Sequence, residues 1–265
     1  MSKNLNLTFS ILFLFVFLTS QKCTDKATKE GQKTDYDWGR GSAYPVSAID
    51  FSQNMLLAIK SELPYDVYLD TLEEINLKEL NKELSNQNKK LSFWINIYNS
   101  LVQVRLMETP QLFENKKDFF QNNDIVIGTE KLSLNDIENG IMRLKEDVTN
   151  LDFVLKFKLD HLDNRIHFTL NCGATSCPAI AYYSPEKLDT QLENATTFFV
   201  KNNCKYNESN NEVVISELFS WFKEDFNGEA GVIKFLQKHK LFPIGNNPKI
   251  KFKPYDWGVK PANFN

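Results

Sequence analysis

KLSFWINIYNSLVQVRLME, residues Lys90–Glu108, is apolar almost throughout, yet Asn96 and Asn99 sit inside it. A run this long and apolar predicts a buried helix rather than a surface one. It ends before Pro110, because proline pushes its predecessor out of the helical region. In such a helix Asn96 and Asn99 are read as partners for buried backbone groups. Trp94 and Tyr98 are read as core, with a pocket wall as the second reading.

Upstream, from Pro45, the spacing of Ile49, Met55, Leu56 and Ile59 is helical, and LDTLEEINLKELNKELS (Leu69–Ser85) is amphipathic. Downstream, the pattern becomes mixed. NDIVIGTEKLSLNDIENGIMRL (Asn123–Leu144) reads as strand, turn and helix, with Ser133 as N-cap and Asp136 closing a short capping box. RIHFTLNC (Arg165–Cys172) alternates and reads as a strand. SPEKLDTQLENATTFFVKN is a helix opened by Ser184 and Pro185. NEVVIS is a strand, ELFSWFKEDF a short helix, AGVIKFLQKH the last helix, and KIKFKPYDW a terminal strand. Helices first and then mixed elements predict an α+β domain, its N-terminal helices packed on a small, mainly antiparallel sheet.

The chain has 265 residues, enough for one substantial core, and 21 phenylalanines to fill it. The net charge of −3, with lysines scattered among acids, provides no electrostatic footprint for nucleic acid. MSKNLNLTFSILFLFVFLTSQKC opens with an early lysine and an apolar run from Leu5 to Leu18. That run is shorter than the roughly 20 residues of a membrane span, so residues 1–22 read as a signal peptide, with an uncleaved anchor as the alternative. Cys23 is a candidate for lipidation, although Lys22 departs from the small residue usual before such a site. Residues 23–44 are polar and read as a linker, and residues 45–265 as one domain. The expected location is outside the cytoplasm: periplasm, cell envelope or secreted.

Export bears on NCGATSCPAI (Asn171–Ile180), where Cys172 and Cys177 lie five positions apart. Disulfides persist outside the cytoplasm, so a bridge closing this short loop is one reading. A metal half-site is another, but a second pair is missing, and Cys204, His161, His167 and His239 would have to converge by chance. The third is catalysis. Cys177 precedes Pro178 at a predicted helix start, where backbone N–H groups favour a thiolate and an oxyanion. His167, ten positions upstream, is the candidate base. Glu138, Asp136 and Asp163 are the candidate carboxylates to orient it.

LSFWINIYNSLV, LSLNDIENGIMR, NRIHFTLNCGATSCPAI, ISELFSWFKEDF and the terminal YDWG together resemble the domain-of-unknown-function 547 (DUF547) family, over roughly Ser47 to Gly258. The resemblance implies an exported bacterial member and a papain- or transglutaminase-like thiol hydrolase with a Cys–His–acid site. Carried onto this chain, the nucleophile is Cys177 or Cys172, the base His167 and the acid Glu138 in DIENG. Asn139 stands where the family has a histidine after that glutamate.

The expectation is therefore an exported thiol peptidase or amidase. Cys177 attacks, His167 shuttles the proton and Glu138 holds the imidazole. The partner is a peptide or small amide, no metal or organic cofactor is called for, and membrane attachment would run through lipidated Cys23 or the uncleaved signal. The competing expectation is a non-catalytic cell-envelope scaffold with a Cys172–Cys177 disulfide. A reversible redox couple built on the same two cysteines is the third.

Overall fold

The computed structural model describes residues 47–264, so the signal, Cys23, the linker and the first YDWG copy at Tyr36–Gly39 lie outside the described residues. Ser47 opens α1 (Ala48–Lys60): its hydroxyl accepts from the Asp50 N–H, and the Asp50 carboxylate accepts from the Ser47 N–H and hydroxyl. This reciprocal pairing satisfies donors that a helix start leaves open. The amphipathic segment 69–85 divides between α2 (Asp66–Glu74) and α3 (Leu77–Glu83). The break comes because Ile75 is extended and the Asn76 side chain caps α3, accepting from the N–H groups of Lys78 and Glu79.

The long apolar run is α4 (Gln87–Glu108), buried from Leu91 through Leu106. Asn96 donates to the Tyr183 carbonyl at 2.9 Å and accepts from its N–H at 3.0 Å. Asn99 donates to the Thr169 carbonyl at 3.0 Å and accepts from the Asn171 N–H at 2.8 Å. Gln103 donates to the Asn171 side chain and accepts from the Ala262 N–H. Positions i, i+3 and i+7 fall on one face of a helix. On that face Asn96 and Asn99 fasten the backbone of residues 169–183, which carry both loop cysteines, and Gln103 ties the Asn171 side chain to the tail at Ala262. Asn99→Ala would leave two buried backbone groups without partners, an expected cost of about 1–3 kcal/mol. Urea denaturation checks it, and an unchanged midpoint would mean that water replaces the amide.

Beyond α4 the chain makes a 3-10 turn (Pro110–Glu114) and α5 (Lys116–Gln121). Then come the antiparallel pair β1 (Ile125–Ile127) and β2 (Glu130–Leu132), a π-helical segment (Asp136–Met142) and α6 (Leu151–Phe157). After α7 (Leu188–Asn203) come β3 (Lys205–Asn207), β4 (Glu212–Ser216), α8 (Leu218–Trp221), a 3-10 turn (Lys223–Phe226), α9 (Gly228–Lys238) and β5 (Lys249–Lys253). β4 is central in the second sheet, antiparallel to β3 and parallel to β5. The domain is α+β, helix-rich with two small sheets. No helix among the described residues is long and apolar enough to cross a membrane.

α7 opens at Leu188 behind Lys187, not at Ser184 and Pro185 as expected, and two expectations around the cysteine loop fail as well. Residues 165–172 are not a strand: Asn164–Phe168 is a 3-10 turn. Asp163 caps it by accepting from the Arg165 N–H, and the Thr169 hydroxyl bonds back to the Ile166 carbonyl. Local bonds of this kind compete with a ladder. No helix starts at Cys177–Pro178 either; the next helix is α7, ten residues later. The C-terminal tail claims this backbone instead. Thr175 N–H donates to the Gly258 carbonyl at 2.7 Å, Ile180 N–H to Asn263 at 2.7 Å, and Lys260 N–H to Gly173 at 2.8 Å.

Candidate functional site

A cavity of about 380 Å³ opens where the π-helical segment, the cysteine loop, α8 and the tail meet, and its wall includes Glu138, His167, Cys172 and Tyr255. The capping box of Ser133 and Asp136 forms as expected, with Ser133 N–H and hydroxyl both 2.7 Å from the Asp136 carboxylate. The segment that this box opens is π-helical, the Arg143 N–H reaching back five residues to Glu138. Such widened turns concentrate at functional sites, and here the segment carries Glu138 and Asn139 to the cavity. Gly140 lets it lie against α6, since a Cβ there would come within 2.6 Å of the Val154 side chain.

His167 reaches the cavity from the 3-10 turn, almost fully buried and stacked on Phe222 with ring centroids 4.0 Å apart. Its Nε2 lies 3.0 Å from Asp225. The Asp225 carboxylate also accepts from Arg143 Nε at 2.6 Å and lies 3.4 Å from Lys145 Nζ. Burial pushes the imidazole pKa down, and Asp225 only partly restores it. Burial works against the Asp225 anion too, but the bonds from His167 and Arg143 outweigh it and hold this carboxyl well below the usual range.

Asp225, not Glu138, is therefore the carboxylate on the imidazole. Glu138 accepts from the Tyr98 hydroxyl at 2.5 Å, and burial raises its pKa despite that bond and nearby Arg143. The carboxyl on the cavity wall and the one behind His167 are thus shifted in opposite directions, Glu138 up by burial and Asp225 down by its bonds to His167 and Arg143. The other two carboxylates considered are committed to structure. Asp136 accepts from Ser133, Thr149 and Asn150, and Asp163 holds Arg165. Asn139 accepts from the Arg143 guanidinium and donates to Asn135.

Cys172 and Cys177 are joined in a disulfide. Cys172 stands on the wall of the His167 cavity, whereas Cys177 is buried and borders a second cavity of about 510 Å³ on the other side of the loop. The N–H groups of Cys172 and Ala174 point at Cys177 Sγ, at 3.0 and 3.3 Å. The Tyr255 hydroxyl reaches both sulfurs, at 3.3 Å from Cys172 and 3.2 Å from Cys177. Gly173, at φ +88°, permits the tight turn and lies against Leu106 of α4. Cys204 is remote from this constellation, buried, with its thiol pushed up to about 12. His239 lies instead beside Glu193, at 3.3 Å.

Three residues of the constellation are not evident as site residues from sequence, Asp225, Arg143 and Tyr255, and Tyr98, whose second reading is a pocket wall, does line the cavity. Each lies within a stretch that carries the family resemblance, and that is the signal that could find them. The terminal YDWG acquires a physical role: Tyr255 reaches the sulfurs, Trp257 stands on the cavity rim, and the Gly258 carbonyl anchors Thr175.

No curated protein and no solved structure matches the chain. Residues 81–200, which contain three of the five resembling motifs, match the model of the family described as "Protein of unknown function, DUF547", and that match supports the resemblance to this family over just under half of the chain.

Proposed function

We propose that the protein is an exported thiol hydrolase that cleaves an amide or peptide bond once the Cys172–Cys177 bond is reduced. The observation that carries this reading is the buried His167–Asp225 pair on the same cavity wall as Cys172. The sequence favours Cys177 only through the expectation of a helix starting there. Without that helix, Cys172 is the better attacking sulfur, because it lines the cavity that His167 also lines. Export, and attachment through lipidated Cys23 or an uncleaved signal, rest on the Met1–Cys23 pattern alone.

The chemistry depends on the tautomer. Ionised Asp225 accepts Nε2–H, which leaves Nδ1 of the neutral imidazole as the base. A dithiol reduces the disulfide by exchange, becoming a disulfide itself and leaving two thiols. The Cys172 thiol gives its proton to His167 as the sulfur adds to the substrate carbonyl carbon. The C–N bond then breaks, and the departing amine takes the proton from the imidazolium. Water, deprotonated by His167, hydrolyses the thioester, releases the acid and restores the thiol. Glu138, kept toward its protonated form, is the cavity group suited to donate to the developing oxyanion.

The test is alkylation with iodoacetamide, before and after dithiothreitol treatment, across about pH 5 to 9, with the labelled sites mapped by mass spectrometry. In the reduced protein Cys172 is expected to label with a midpoint below the ordinary thiol value of about 8.5. The disulfide itself favours a second reading, a non-catalytic scaffold domain stapled by that bond. A Cys172 that stays inert after reduction would establish the scaffold and end the hydrolase proposal.

A further inference from the structure

Trp221 and Trp257 are 45% and 39% exposed, at the rim of the His167 cavity. They stack on each other with centroids 5.6 Å apart and an interplanar angle of 27°, and each ring lies 4.9 Å from Tyr255. They come from α8 and the tail, so two separate elements build one offset aromatic stack with its outer ring faces and edges at the cavity rim. Half-exposed indoles held rigid in this way cost little further ordering when a ring stacks on them.

Charge is placed beside that face. Lys116 Nζ lies 5.5 Å from the Trp257 ring and 3.4 Å from the Phe113 ring, and bonds to the Phe113 carbonyl. Neither Lys116 nor Lys117, both on the cavity wall, has a carboxylate within ion-pair distance among the described residues. Arg143 is already paired with Asp225. The one carboxyl on this wall, Glu138, is taken up by the Tyr98 hydroxyl and is not paired with either lysine. Lys116 and Lys117 thus place cationic groups without a carboxylate partner on this wall, although burial lowers the Lys116 pKa and nearby Glu114 restores only part of it. A cationic ligand over Trp257 would meet Lys116, whereas an anion would complete it.

The geometry points to the substrate class: an N-acylated amino acid, or the end of a short peptide, with an aromatic side chain and a free carboxylate. The ring lies on the Trp221–Trp257 face and the carboxylate pairs with Lys116, so the bond presented to His167 and Cys172 is the acyl amide of that terminal residue. The volume of about 380 Å³ fits a ligand of this size. The assignment rests on the hydrolase reading for the reaction, but binding can be measured without it.

The experiment is calorimetric titration of the full chain in its disulfide form, which has no free cavity thiol. The probes are N-acetylphenylalanine, N-acetylphenylalaninamide and N-acetylalanine. A charge-assisted bond to Lys116 should make the acid bind about tenfold or more tightly than its amide. Lys116→Gln should abolish that preference and Lys116→Arg retain it. Trp257→Ala should weaken both phenylalanine probes and bring them toward N-acetylalanine. Equal affinity of acid and amide, an unchanged preference in Lys116→Gln, or no binding of any probe overturns the proposal. If the probes bind as expected while the reduced protein releases no phenylalanine, the hydrolase reading fails and the recognition stands.

Discussion

Asp225→Asn is expected to destabilise the domain by roughly 3–5 kcal/mol, the usual cost of removing one partner from a buried ionic cluster. The carboxylate is 1% exposed and holds three cationic or hydrogen-bonding groups: Arg143, His167 and Lys145. An amide keeps the shape but not the charge, so the partly buried Arg143 guanidinium loses its counter-ion. For a domain of this size the loss corresponds to about 6–20 °C in Tm. Urea denaturation at neutral pH measures it directly, and a change below about 1 kcal/mol would mean that water already solvates the cluster.

The pH dependence has a definite sign. Asp225 has a folded pKa below its unfolded one, so its stabilisation is present above about pH 3.9 and is lost as pH falls through the folded value. His167 also has a lowered folded pKa, and the unfolded chain takes up its proton first, below about pH 6.5. Both effects remove stability on acidification. The decline should begin near pH 6.5 and steepen below about pH 4, and Asp225→Asn should flatten the lower part.

His167→Ala, in the reduced protein, is expected to slow amide hydrolysis on the order of 10²–10⁴-fold, the usual contribution of a positioned base. It should also move the midpoint of Cys172 alkylation up toward about 8.5. Alanine additionally removes a ring stacked on Phe222, so folding has to be separated from chemistry. His167→Gln keeps a donor for Asp225 and much of the volume, and should be as inactive as alanine while melting closer to wild type. A glutamine variant at full rate would make His167 a packing residue and remove it from the mechanism.

The site is legible in sequence at its chemistry-bearing residue types and illegible at their pairing. The loop cysteines, His167 and Glu138 stand out by type, and His167, Glu138 and Cys172 do face one cavity. Their partners do not stand out. Asp225 lies 58 positions from His167, and Tyr255 lies 83 and 78 positions from Cys172 and Cys177. In the sequence Asp225 looks like one more acid of a surface helix, and only the approach of the 3-10 turn Lys223–Phe226 to His167 turns it into a buried anion. The preference for Cys177 over Cys172 fails similarly: it depends on a helix that the tail prevents by taking the loop's backbone N–H groups for itself.

What the sequence determined by itself is what local periodicity and composition encode. It determined the buried helix α4 with its amides turned to backbone, the succession of helices before strands that makes the domain α+β, the capping box at Ser133, and strand β4. These depend on hydrogen bonds between near neighbours and on which face of an element must be dry. The tertiary structure decided everything that depends on two distant segments crossing. It decided that Cys172 and Cys177 are bonded to each other, that Asp225 is the partner of His167, and that Trp221 stacks on Trp257. A buried charge or a free backbone N–H takes whichever partner the fold brings within bonding distance, and no local pattern records which one that is.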